Sequence, residues 1–234
     1  MSHGRQFTLY SHAGGPNAWK PAMLLSELGL TYETIYLDIK KGEHKTPGLA
    51  KYNPNGRLPV LIDHANNGFT IWESNAILLY LVGKYDKQNK FSVAEENDKY
   101  SMIQWLFFQA SGQGPYFGQF SWFTNHHEEN IPSAIERYTK EVNRIWAVLE
   151  SVLSKQEWLV GNKYTIADLS FITWNNGVIA MLRTADPSYD FGKQFPAVAA
   201  WRERMNLRPA VSKVRAIRDA VVSAGSTPGV RTLD

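Results

Sequence analysis

The sequence predicts two domains in series, an α/β domain followed by an all-helical one. Three observations carry this. Strand-like patterning falls early in the chain: alternation at Phe7–Ser11 and Thr31–Leu37, an apolar run at Val60–Ile62, and a second arm after the Asn66-Asn67-Gly68 turn. Helical spacing fills the gap between the first two strands. From Ala94 onward every periodic signal is helical.

Taken in order, residues 1–5 read as a loose start and Phe7–Ser11 as the first strand. A glycine-rich loop follows to Pro16, a residue suited to a first helical position. Trp19, Met23, Leu24 and Leu28 then predict a helix over Asn17–Leu28, stopped by Gly29. Thr31–Leu37 is the second strand, and 40–52 is irregular apart from one helical turn after Pro47. Asn53–Leu81 reads as turn, short strand, hairpin, strand and the start of a helix over Ser74–Tyr85. The order β-α-β-α-β-β-α argues a mixed sheet built on a βαβ unit and closed by a hairpin. That is the thioredoxin-like order, assigned to residues 1–86, with a polar linker at 87–93.

The helical domain is assigned to 94–234. Its first helix, Ala94–Ser111, is interrupted or bent by Gly112, Gly114 and Pro115 and resumes through Tyr116–Phe123. A helix near Pro132 runs to about Ser154. Thr165-Ile-Ala-Asp168 is a capping box in its Asp form, with Tyr164 and Leu169 at the staple positions. It opens a helix to about Leu182. Shorter helices at Pro196–Asn206 and Pro209–Val222 precede a loose tail.

Composition narrows the function classes. A chain of 234 residues with 44% hydrophobic and 20% charged residues buries a full core without staples. It contains no cysteine, so disulfides, thiolate metal sites and a protein thiol nucleophile are excluded. The net charge of +3 is interspersed, which gives nucleic-acid binding no support. No apolar run approaches the ~18 residues that span a bilayer, and the N-terminus has no signal-peptide core. A cytoplasmic protein is the expectation. His126-His127 followed by Glu128-Glu129 lacks further ligands at metal spacing, so no metal is expected.

The chemistry concentrates in Asn53–Leu81. Pro59 cannot donate a ladder hydrogen bond and belongs at a strand start. A cis Leu58–Pro59 bond there turns the Leu58 backbone outward, available to a ligand. Glu73-Ser74 falls between a strand and an apolar helix, whose N-terminus offers N–H groups and a positive dipole end to an anion. The Glu73 carboxylate beside it suits an ammonium. A backbone edge, an anion seat and an ammonium seat together suit a small zwitterionic peptide.

This arrangement resembles the glutathione site of cytosolic glutathione transferases. The resemblance is to the fungal class that includes the yeast nitrogen-repression regulator, and to its bacterial Nu-class relatives. It is carried by Ser11-His12, Pro16-Asn17, Leu25-Ser-Glu-Leu-Gly29, Gly42-Glu-His44, Asn53-Pro-Asn55, Leu58-Pro59, Ile71-Trp-Glu-Ser74 and Ala134-Ile-Glu-Arg-Tyr138. It implies a thioredoxin-like domain that binds glutathione, then an all-helical glutathione-transferase domain that holds a hydrophobic co-substrate.

Residue by residue, the resemblance implies that Asn17 donates to the glutathione sulfur. From position alone Asn17 is equally suited to cap its helix, and Tyr10 and Ser11 are rivals for the sulfur contact. Lowering a thiol pKa from about 8.5 to about 6.5 stabilises the thiolate by roughly 2.7 kcal/mol, within reach of a helix end and one or two hydrogen bonds. Ser74 then takes the γ-glutamyl carboxylate, Glu73 the amine, and the backbone at Leu58-Pro59 the cysteinyl part. Arg57 and His44 reach the glycyl carboxylate. Arg137 touches a second glutathione or lies on a solvated helix face. Trp105, Phe108, Tyr116, Phe120 and Trp174 form the co-substrate wall or, as helical aromatics more often do, the core.

The expected function is a glutathione transferase. It activates the thiol and either conjugates it to an electrophile or uses it to reduce disulfides, peroxides or glutathionyl adducts. Glutathione is its substrate, and a small hydrophobic electrophile or disulfide its second one. The family's members are homodimers. The alternative is a non-catalytic ligand-binding or regulatory protein on the same fold; a prion role has no support, because no Asn/Gln-rich arm precedes the domain.

Overall fold

The computed structural model describes residues 4–224 and the backbone of 231–233. These group into two compact units: the chain up to Gln88 together with the chain from Leu207 onward, and Asn89–Asn206.

The first unit is built on a five-stranded sheet. Strands β1 (Phe7–Ser11), β2 (Tyr32–Tyr36), β3 (Val60–Asp63), β4 (Phe69–Trp72) and β5 (Arg231–Leu233) lie in the order β4-β3-β1-β2-β5. β1 and β2 are parallel, joined through helix α1 (Trp19–Glu27). β3 and β4 are the antiparallel hairpin read from the Asn66-Asn67-Gly68 turn, where Asn67 and Gly68 both take positive φ. One helical turn follows Pro47 as expected (α2, Pro47–Ala50), and α3 (Ser74–Tyr85) follows β4. The interior consists of Phe7, Leu9, Met23, Leu24, Tyr32, Leu61, Ile77 and Leu81.

Three features differ from the sequence expectation. α1 begins at Trp19, so Pro16 and Asn17 lie in the preceding turn, and Ala18 stands at the helix boundary without a side-chain cap. Ala18, rather than Asn17, is the N-cap residue of α1. The chain end is not uniformly loose: Arg231–Leu233 pairs antiparallel with β2. The last helix, α10 (Pro209–Ser223), packs on α1 within the first unit. Arg208 forks onto the Glu27 carboxylate at 2.5 and 3.1 Å, fixing the start of that helix. Expectations for residues 1–3, 225–230 and 234 lie outside the described residues.

The second unit is helical: α4 (Glu96–Phe108), α5 (Gly114–Asn125), α6 (Pro132–Leu153), α7 (Ile166–Ala185), α8 (Phe191–Gln194) and α9 (Pro196–Asn206). The Gly112–Pro115 segment does not break the chain here. A wide π turn over Gln109–Gln113 carries α4 into α5. Its two glutamines are buried and bonded to other side-chain amides: Gln109 Nε2 donates to Gln113 Oε1 at 3.1 Å, and Gln113 Nε2 to Asn175 Oδ1 at 2.8 Å. Glycine at 112 allows a close approach of α6, since a Cβ there would lie 3.0 Å from Ile145 Cδ1. The Thr165–Asp168 capping box forms as read, with Asp168 Oδ2 accepting from the Thr165 N–H at 2.9 Å. Trp146 centres the core, with the Phe191, Phe117 and Phe195 rings 4.8, 5.4 and 5.6 Å away. No described helix is long and apolar enough to cross a membrane.

Candidate functional site

Strand register assembles the site in the first unit. Tyr10 on β1 lies opposite Val60 on β3, and Val60 lies opposite Trp72 on β4. The C-terminal end of β1, the N-terminal end of β3 and the C-terminal end of β4 therefore share one edge of the sheet. The loop to Asn17 leaves the first, Leu58-Pro59 enters the second, and Glu73-Ser74 leaves the third. Segments more than fifty residues apart in sequence are brought together by the antiparallel pairing of β3 with both neighbours.

The Leu58–Pro59 bond is cis. Pro59 is buried and Leu58 half-buried, and the backbone N–H and carbonyl of Leu58 have no hydrogen-bond partner among the described residues. The turn before it is built by Asn53, which is 1% exposed. Asn53 Nδ2 donates to the Arg57 carbonyl at 2.7 Å, and Asn53 Oδ1 accepts from the Asn55 N–H at 2.9 Å. This leaves the Arg57 side chain exposed. His44 sits on a single helical turn, Glu43–Lys45. Burial lowers its pKa first, and the cations of Lys45 and Arg57 lower it further. Neutral His44 and cationic Arg57 thus share a neighbourhood suited to a carboxylate.

The loop after β1 folds over His12. A Cβ on Gly14 would come 3.2 Å from His12 Nε2, and one on Gly15 would come 3.3 Å from Cδ2. Glycines permit that approach. Trp19 Nε1 donates to the Ala13 carbonyl at 3.0 Å, pinning the loop to α1. Asn17 follows, half-buried. Of the two other candidates for the sulfur contact, Ser11 is buried, and Tyr10 stacks on Tyr52 with centroids 6.1 Å apart.

Glu73 stands at the boundary of α3 with φ +68° and ψ 114°, outside the regions an L-residue prefers. Its carbonyl accepts the first helical bond, from the Ile77 N–H at 2.9 Å, and its side chain does not cap the helix. The exposed carboxylate stands beside the buried Ser74 and the positive end of the helix. Such strain costs about 1–3 kcal/mol and concentrates at functional sites.

Sequence reasoning passed over Lys20. It is 1% exposed on the first turn of α1, and Nζ donates to Asn75 Oδ1 at 3.2 Å. Burial pulls its pKa down to about 7, opposed by the Glu73 carboxylate. The available signal was a lysine inside the otherwise apolar Trp19–Leu25 run.

In the second unit the aromatic candidates divide. Trp105 and Phe108 are half-buried and meet edge-on at 5.7 Å, each with Phe171 at 6.3 Å. Tyr116 is half-buried under Arg144, 5.9 Å from its ring centroid. Trp174 on α7 closes on Gly118 of α5, where a Cβ would be 3.5 Å away. Phe120 is 3% exposed and belongs to the packed interior. Arg137 lies exposed on α6, with no ion-pair partner among the described residues. Among those residues no group of three or more His, Asp or Glu side chains is placed to hold a metal.

Comparison with known proteins identifies the family. Residues 5–83 match the family model for the glutathione S-transferase N-terminal domain, and residues 113–209 match that for the C-terminal domain. Glutathione S-transferase 2 of Schizosaccharomyces pombe is 50% identical over 219 residues, covering 90% of this chain and 94% of that protein. The transcriptional regulator URE2 of Saccharomyces cerevisiae is 40% identical over 242 residues, covering 88% of this chain and 67% of the regulator. The crystal structure of glutathione transferase URE2P6 from Phanerochaete chrysosporium, in complex with oxidized glutathione, superposes with a TM-score of 0.90 at 57% identity. It covers 94% of this chain and 100% of that one. The chain belongs to the glutathione S-transferase family.

Proposed function

We propose that the protein is an active glutathione transferase. The observation that carries this is the shared sheet edge: a Leu58 backbone unpaired among the described residues, the buried Ser74 at the start of α3 with an acid at Glu73, and an amide at Asn17. Glutathione lies along that edge. The Ser74 N–H and hydroxyl take its γ-glutamyl carboxylate, Glu73 its amine, Leu58 its cysteinyl backbone, and His44 with Arg57 its glycyl carboxylate. The Asn17 side chain donates to the sulfur and holds it as thiolate, the attacking species. Residues 1–86 bind the peptide. Within 94–234, the half-buried aromatic side chains Trp105, Phe108, Tyr116 and Trp174 receive a hydrophobic electrophile.

Two outcomes follow from one thiolate. Attack on carbon forms a thioether and expels the leaving group. Attack on a disulfide forms a mixed disulfide, which a second glutathione resolves to glutathione disulfide. The chain has no cysteine, so reduction uses glutathione for both thiols. Arg137 serves the second peptide in that route. We place the protein in the cytoplasm as a homodimer, with a solution mass of about 53 kDa, twice 26.6 kDa.

The similarity to URE2 favours a second reading, a regulatory protein that keeps the fold without the chemistry. Titration with glutathione while following thiolate absorbance near 240 nm decides between them. Heat of binding with a rise in absorbance, lost in Asn17→Ala, supports the enzyme. Binding with no rise supports the regulator, and no binding to glutathione or its disulfide overturns both.

A further inference from the structure

Lys20 is a charge that the reading above leaves without a task. Burying an ammonium costs several kcal/mol, and a methionine of similar length fills the same space without that cost. Its position adds to the cost. Lys20 is the second residue of α1 and its Nζ bonds Asn75, the second residue of α3, so its ammonium sits at the positive end of α3. The counter-charge it faces is Glu73, the residue held at φ +68°. Two unfavourable features, a buried cation and a strained acid, therefore converge on the first residues of α3.

We propose that Lys20 is a positioning residue that, with Glu73, forms a charge pair complementary to an α-amino-acid head group. A lone acid at Glu73 would attract any ammonium. With the Lys20 cation fixed behind the α3 N-terminus, a ligand must present a carboxylate toward Lys20 and Ser74 and an ammonium toward Glu73. The four charges then alternate in sign. Lys20 acts through space and through Asn75 and does not touch the ligand. The inference rests on the proposed glutathione reading and names what makes that site selective for a free α-amino-acid terminus.

The test is calorimetric binding of S-methylglutathione, whose blocked thiol contributes no proton, beside its analogue lacking the γ-glutamyl α-carboxylate (4-aminobutyryl-S-methylcysteinyl-glycine). Lys20→Met is expected to weaken S-methylglutathione roughly tenfold to fiftyfold, the size of a partly screened charge pair, and to leave the analogue's affinity unchanged. Its melting temperature is expected to equal or exceed that of wild type, which a purely structural lysine would not allow. Asn75→Ala, at a half-buried position, is expected to show the same selective loss at smaller size. Equal losses on both ligands in either variant, or no loss in both, overturn the proposal. Wild-type protein that binds neither peptide overturns the glutathione reading itself, and this inference with it.

Discussion

Trp201 Nε1 donates to Asp168 Oδ1 at 2.9 Å, tying α9 to the first turn of α7. The same carboxylate accepts from the Leu159 N–H at 2.9 Å and the Thr165 N–H at 2.9 Å. A residue legible as a local cap is thus the buried knot of the second unit. Burial pushes its pKa up to about 6 against these donors. Asp168→Ala orphans all of them and is expected to cost about 3–5 kcal/mol, measured by urea unfolding. A loss below ~1 kcal/mol would show the knot to be dispensable.

Asn17→Ala is expected to lower kcat/KM about tenfold to hundredfold, the loss of a hydrogen bond to a charged sulfur at ~1.5–3 kcal/mol. The thiol pKa of bound glutathione should rise in step, read from the pH dependence of absorbance near 240 nm. Asn17→Asp should lose more, because a carboxylate repels the thiolate. Equal activity in all three proteins would move the sulfur contact elsewhere.

The backbone of Glu73 predicts opposite effects on stability and binding. Glycine accepts φ +68° without penalty and alanine does not. Glu73→Gly is expected to be about 1 kcal/mol more stable than Glu73→Ala, while both lose glutathione affinity to a similar degree. Thermal melts paired with calorimetry check this.

Lys20 makes stability depend on pH in a stated direction. Its folded-state pKa of about 7 lies below its ordinary 10.5. Between those values the unfolded chain holds the proton more tightly, so stability rises as pH climbs through the window and is lost as pH falls back through about 7. The full effect is roughly 3–5 kcal/mol. The difference in unfolding free energy between wild type and Lys20→Met, followed from pH 6 to 10, should show that slope; a flat difference would mean that Lys20 titrates normally.

Asn175 Oδ1 accepts from both Gln113 Nε2 at 2.8 Å and Trp146 Nε1 at 3.0 Å. Asn175→Ala removes the acceptor of the buried Trp146 N–H and leaves Gln113 Nε2 only its longer 3.4 Å bond to the Phe171 carbonyl, and is expected to cost about 1–3 kcal/mol. Hydrogen exchange should show the π turn at Gln109–Gln113 opening earlier than its neighbours.

The order of strands and helices, the proline before β3, the Glu73-Ser74 helix start and the Thr165–Asp168 cap were all legible in the sequence. Each rests on short-range physics: side-chain period, φ restriction and groups within one helical turn. Tertiary structure alone decided what depends on distant partners. It buried Lys20 against α3, held Glu73 at positive φ, and set the Asn175 amide of α7 against Gln113 in the turn between α4 and α5. It also paired Arg231–Leu233 with β2 and laid α10 on α1. A lysine, a glutamate or a glycine pair carries no local mark of the environment it will enter. Desolvation, strain and ladder pairing are set by residues far along the chain, and they acquire a value only once the sheet has brought those residues together.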